Sequence, residues 1–196
     1  MMSNTELVAR YPFLAANVTW FGDIIESYDP EADGTYLDDM PEGWKIAFGE
    51  QMCEELRNEL IKWDWLDKYH ILQVKEKYGS LRWYTSGVPI GKYSDEYVDV
   101  LYDEYKNNWK EYQSKYPSEE YYRYPVAGTP EIMRFHKFID KCKIYDIVDK
   151  YEVLSTHTCV ECGKPATKMS TGWICPYCDE HAPEGSEPIE NSEFAL

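Results

Sequence analysis

The most regular apolar pattern in the chain has a period of four: Phe48, Met52, Leu56 and Leu60 recur along one stripe, with Ala47 and Trp63 beside it. That spacing predicts an amphipathic helix over about 44–63. Cys53 lies next to the stripe and reads as a small buried hydrophobe rather than a nucleophile. Farther on the period changes to two. Leu72 and Val74 alternate with Gln73 and Lys75, and after Gly79, Leu81 and Trp83 alternate with Arg82 and Tyr84, which predicts a hairpin over 71–86. An even loop around Tyr78 and Gly79 keeps both apolar sets on one face, whereas an odd loop would set Val74 beside Arg82. The even loop pairs Val74 with Trp83, Lys75 with Arg82 and Gln73 with Tyr84.

Elsewhere the pattern is more polar. From Ser94 to Tyr124 the chain is dense in tyrosine, and Tyr97, Leu101, Tyr105 and Trp109 fall at helical spacing before Pro117. A further helix is expected over about 131–153, partly burying Ile132, Phe135, Phe138, Ile139, Cys142, Ile147 and Val148, with His136 on its surface or at the core edge. Residues 21–43 contain Asp and Glu but no Lys or Arg, and Pro30, Gly34, Pro41 and Gly43 mark them as an acidic loop. The Pro-, Ser- and Glu-rich end is expected to be disordered. No internal repeat is visible.

These elements predict an α+β fold: a small antiparallel sheet around the 71–86 hairpin, packed by helices. The expected organisation is a domain over 1–154 with a Tyr-rich helical insertion at about 94–124, a zinc knuckle over 155–183 and an acidic tail over 184–196. With 196 residues, 43% of them hydrophobic, the chain can build one ordinary core. Its formal charge of -16 repels phosphate backbones at long range, so general nucleic-acid binding is disfavoured, while the same charge allows binding of basic partners or imitation of nucleic acid. No stretch has the apolar length of a signal peptide or a membrane span, so a soluble cytoplasmic protein is expected, with no membrane partner.

The most specific chemistry is in "TCVECGKPATKMSTGWICPYCDEH". Cys159 and Cys162 form one C-x2-C pair, Cys175 and Cys178 a second, and twelve residues separate them. Two such pairs on tight turns can present four thiolates to one tetrahedral zinc ion. Gly163 permits the turn after Cys162. Cys178 and His181 also have ligand spacing, so the fourth ligand is either Cys175 or His181. Four protein ligands leave no open position for water, and the expected role of Zn2+ is structural. It would replace core that so short a segment is unable to supply.

The hairpin raises a second question, because "QVKEKYGSLRWY" concentrates cations and aromatics in an acidic chain. Lys75 opposite Arg82 is a like-charge cross-strand pair, costing on the order of 0.2–1 kcal/mol. An anion between them reverses the sign, since a charge-assisted hydrogen bond contributes roughly 1.5–3 kcal/mol. The candidate ligand-binding set is therefore Gln73, Lys75, Lys77, Tyr78, Arg82 and Tyr84, with the rings available for stacking. The competing reading is that carboxylates of the same chain fold over this face.

Taken in order, Tyr11-Pro12, Gly43-Trp44, Cys53 and Leu56, the hairpin motif, and Thr-Cys-x-x-Cys-Gly with a closing Cys-Asp-Glu-His resemble an uncharacterised family of short phage and bacterial proteins. The resemblance spans nearly the whole chain, and it implies a shared fold with a zinc knuckle closed by Cys and His, here Cys178 and His181. It also marks the Tyr-rich piece as an insertion.

The expected function is that of a non-enzymatic, phage-encoded binding protein that captures a phosphate-bearing, nucleotide-like small molecule on the hairpin face, for example to interfere with a host defence signal. The alternative is an acidic inhibitor or nucleic-acid mimic that blocks a host enzyme; either is compatible with a homo-oligomer. No phosphate-cradling glycine loop or Ser/His/Asp arrangement supports an enzyme.

Overall fold

The structure, a computed structural model, describes residues 2–19, 23–89, 91–92 and 140–189. The chain divides into two compact units, Met1–Val88 with Lys143–Leu196 and Pro89–Cys142. The Tyr-rich helix expected after Ser94, His136 and the last residues of the tail lie outside the described residues.

In the first unit, Ser3 starts α1 (Asn4–Arg10) with a capping box: its hydroxyl accepts from the Glu6 amide, and the Glu6 carboxylate accepts from the Ser3 amide. A single 3-10 turn (Pro12–Leu14) follows, burying Phe13 and Leu14. The acidic segment then contributes the short α2 (Pro30–Asp33) and more core than its charge suggests, because Tyr36, Leu37 and Met40 are buried. Asp38 fixes its return. Its carboxylate accepts from the Thr35 amide and hydroxyl and from Lys45 Nζ.

The predicted helix over 44–63 is present as three consecutive pieces: α3 (Glu42–Trp44), a π-helical turn (Lys45–Gly49) and α4 (Glu50–Lys62). Trp44, Met52, Cys53, Leu56 and Leu60 are fully buried along it. Burial among these side chains, ahead of the charges of Glu50 and Glu54, pushes the Cys53 thiol far up, as an inert core residue requires.

The hairpin of β1 (Ile71–Lys77) and β2 (Ser80–Thr85) has the even register, with Val74 opposite Trp83, Lys75 opposite Arg82 and Gln73 opposite Tyr84. Tyr78 and Gly79 both take positive φ, 55° and 75°, as a two-residue turn matched to strand twist requires. A bulge between Ile71 and Gln73 departs from strict alternation. It buries Ile71 and leaves Leu72 half-buried, reversing the order that alternation alone predicts.

The helix expected over about 131–153 is shorter at its described end. Asp140–Lys141 is a strand, β4, paired with β3 (Gly91–Lys92) in the second unit. In the first unit α5 (Ile144–Ser155) follows, burying Ile144, Val148, Tyr151 and Ser155. It runs along β2, where the Leu81 amide donates to Ser155 Oγ at 2.8 Å. This covers a strand edge that would otherwise present an unpaired donor.

The C-terminal segment forms a three-stranded sheet, with β5 (Lys168–Met169) between β6 (Pro176–Tyr177) and β7 (Glu187–Pro188). The tail expected to be disordered from residue 184 is therefore ordered as far as β7. Composition predicts disorder when there is little core to bury, but β5 offers a free backbone edge, and the Ile189 amide extends the pairing to the Thr167 carbonyl. Among the described residues no helix is long and apolar enough to cross a membrane.

Candidate metal centre and hairpin face

Two turns bring together the side chains that could hold a metal ion. The first starts at Cys159, whose carbonyl accepts from the Gly163 amide at 3.0 Å, and Gly163 has φ 74°. It is seated against the start of α3, where the Gly43 amide donates to the Val160 carbonyl at 2.8 Å and the Trp44 indole donates to the Thr158 carbonyl at 2.8 Å. The second turn follows β6, with the amides of His181 and Ala182 both donating to the Cys178 carbonyl.

The result is a group of Cys159, Cys162, Cys178 and His181 whose ligand atoms all lie within 4.8 Å of one another. Cys162 Sγ and Cys178 Sγ are 3.7 Å apart. His181 Nδ1 is 3.2 Å from Cys178 Sγ and 3.8 Å from Cys159 Sγ. A tetrahedral ion bonded at about 2.3 Å to sulfur and about 2.0 Å to nitrogen separates its ligands by ~3.5–3.8 Å. The group has the size and the donor set of such a site.

The local electrostatics favour thiolates at two of the three sulfurs. Burial opposes ionisation of Cys159, but the amides of Cys178, Cys162 and Glu161 point at its sulfur and hold the thiol below its ordinary value. Burial also opposes ionisation of Cys178, and the His181 ring, with the His181 and Glu180 amides, brings that thiol down as well. At Cys162 the Lys164 amide favours the thiolate, yet burial and the neighbouring sulfurs prevail and its thiol is raised. A cation at the centre turns mutual repulsion of sulfurs into attraction to a shared charge.

Of the two candidates for the fourth position, His181 is in the group and Cys175 is outside it. Cys175 is 5% exposed and sits at the base of the loop between β5 and β6, where Ser170 Oγ accepts from its amide at 2.9 Å. Burial, followed by the charge of the nearby Glu76 carboxylate, pushes the Cys175 thiol up to about 12. Its environment is that of a neutral structural thiol. The sequence spacing holds for both residues, and only the course of β6 separates them.

On the hairpin, Gln73, Lys75, Lys77 and Arg82 share the face opposite the core as the register requires. Arg82 is paired internally: its Nη1 lies 3.3 Å from Glu152 Oε2 on α5. Lys75 Nζ bonds to Gln73 Oε1 and stands 5.4 Å from the centre of the Tyr84 ring, and Lys77 Nζ stands 5.3 Å from the centre of the Tyr78 ring. Neither lysine has a carboxylate partner among the described residues. Tyr78 and Tyr84 are exposed. Two residues that sequence reasoning passes over also belong to this region. Glu76, on the core face beside the turn, accepts from the Gly79 amide at 2.7 Å and from the exposed Trp173 indole at 3.1 Å. Each is unremarkable in the sequence, and only the meeting of hairpin and loop gives them a role.

No protein-family model, no curated protein and no solved structure matches the chain. The geometry alone bears on function.

Proposed function

We propose that this chain is a non-enzymatic binding protein with a structural zinc centre, whose hairpin face captures a phosphate-bearing small molecule at Lys75 and Lys77. One observation carries the ligand reading: in a chain with 36 acidic and 20 basic residues, the two lysines of one sheet face meet aromatic rings and an amide but no carboxylate among the described residues. Arg82 belongs to the fold through Glu152 and drops out of the recognising set. Tyr84 and Tyr78 supply stacking surfaces, which favours a nucleotide over inorganic phosphate. The resemblance to short phage and bacterial proteins makes a phage-encoded antagonist of a nucleotide signal the biological form of this reading.

Isothermal titration of the purified protein with a panel of mononucleotides and cyclic nucleotides tests it. Binding is expected, and Lys75→Ala should weaken it about tenfold or more, by loss of a charge-assisted contact. Failure of every phosphate compound to bind at millimolar concentration defeats the proposal. Capture of a single host enzyme with its active site blocked would support the inhibitor reading instead.

The zinc assignment rests on the three cysteines and His181. Elemental analysis should find about one zinc per chain. A folded, metal-free chain with reduced thiols would remove it.

A further inference from the structure

Glu76 is not within the metal group, yet it joins the hairpin to the β5–β6 loop, which leads through β6 into the turn that carries Cys178 and His181. It lies on β1 opposite Leu81, two places before the turn residue Tyr78. Its Oε1 accepts from the Gly79 amide and its Oε2 from Trp173 Nε1, so one carboxylate holds both the tip of the hairpin and the tip of the β5–β6 loop. The loop is itself internally tied: Ser170 Oγ accepts from the Cys175 amide and donates to the Trp173 carbonyl, and the Ser170 amide donates to the Cys175 carbonyl. Contact is close as well as polar. A Cβ on Gly79 would stand 3.3 Å from Met169 Sδ and 3.4 Å from the Ile174 carbonyl. Only β6 then separates Cys175 from Cys178.

We propose that Glu76 is a positioning residue for the metal centre, holding the β5–β6 loop so that Cys178 and His181 meet Cys159 and Cys162. It rests on the zinc reading above. Ligands held in place before the ion arrives lose less freedom on binding, which is why groups outside the ligand set influence metal affinity. Coupling of this kind is reciprocal. Metal binding therefore steadies the turn that presents Lys77 and Tyr78, and the zinc centre and the hairpin face are linked through one side chain.

The test is competition for zinc between the full-length protein and a chromogenic chelator, comparing the parent, Glu76→Gln and Trp173→Phe. In Glu76→Gln one of the two acceptor oxygens becomes an amide nitrogen, so the Gly79 amide and the indole must share a single acceptor and the junction loosens at both, and zinc affinity should fall about tenfold. Trp173→Phe keeps the ring and loses the donor, and should fall by a smaller factor of about three. Hydrogen exchange at the Gly79 amide supplies a second readout. It should accelerate when the parent is stripped of zinc, and should already be fast in zinc-loaded Glu76→Gln. Zinc affinity within twofold of the parent in both variants, or Gly79 exchange indifferent to zinc, overturns the proposal. A parent that holds no zinc overturns the metal reading itself. If Glu76→Gln does not fold, Trp173→Phe and the Gly79 exchange of the parent still decide.

Discussion

His181 and Cys175 show how much a single residue's surroundings decide. Both satisfy ligand spacing, but His181 Nδ1 faces two sulfurs, whereas Cys175 is a buried thiol outside the group. His181→Ala should lower zinc affinity strongly, while Cys175→Ser should keep about one zinc per chain by elemental analysis. Equal metal loss in both would contradict the assignment. Arg82 is a parallel case. Its pairing with Glu152 means that Arg82→Ala leaves a half-buried carboxylate without its cation, so the denaturation midpoint should fall, by about 0.5–1.5 kcal/mol in stability. Relief of the like-charge contact with Lys75 offsets part of this. A midpoint above that of the parent would show that the repulsion dominates.

Between elements, the closest approach is that of the first cysteine turn to the start of α3. A Cβ on Gly43 would lie 2.1 Å from the Cys159 carbonyl oxygen, and one on Gly163 would lie 2.5 Å from the Gly43 carbonyl oxygen. Both obstacles are backbone and can yield only by moving the turn. Gly43→Ala should cost about 1–3 kcal/mol or more in chemical denaturation and loosen zinc binding as well, because the turn that moves carries Cys159 and Cys162. Unchanged stability in this variant would mean that the turn does not rest on α3. The same contact explains why Gly43 and Trp44 occur together: one lets the backbones meet, and the other reaches the Thr158 carbonyl with its indole.

For the molecule as a whole, paired carboxylates set the response to pH. Asp38 and Glu55 are partly buried, which alone would raise their carboxyls; hydrogen bonds from Lys45 and Thr35 to the first, and from Lys150, Tyr151 and Gln51 to the second, hold both below the usual range. A lowered folded-state pKa contributes stability above the ordinary carboxylate value, and that contribution is lost as pH falls through the lowered one. Stability should therefore decline below about pH 4. Glu55→Gln, measured by denaturation across that range, should flatten the decline; an unchanged slope would exclude Glu55 as a contributor. With zinc bound at the proposed site a separate acid limb is expected, since protons compete with the ion for sulfur and imidazole. Chelation at neutral pH should lower the midpoint, and proton release on re-addition of zinc should be measurable.

What the sequence alone determined is local. The helical stripe over 44–63, the hairpin register and the even turn follow from a side-chain period and from turn chemistry, both properties of a few adjacent residues. The cysteine spacing likewise marks a metal site, because a C-x2-C turn prepares its own ligand geometry. Tertiary structure decided the rest. The bulge at Leu72, the pairing of Arg82 with Glu152 and the choice of His181 over Cys175 depend on which elements meet, and on partners distant in sequence. Order in Glu187–Pro188 depends on a strand edge that composition does not reveal. Glu76 is the clearest instance: a strand glutamate in the sequence, it becomes a junction only when the hairpin turn and the β5–β6 loop each bring it a donor.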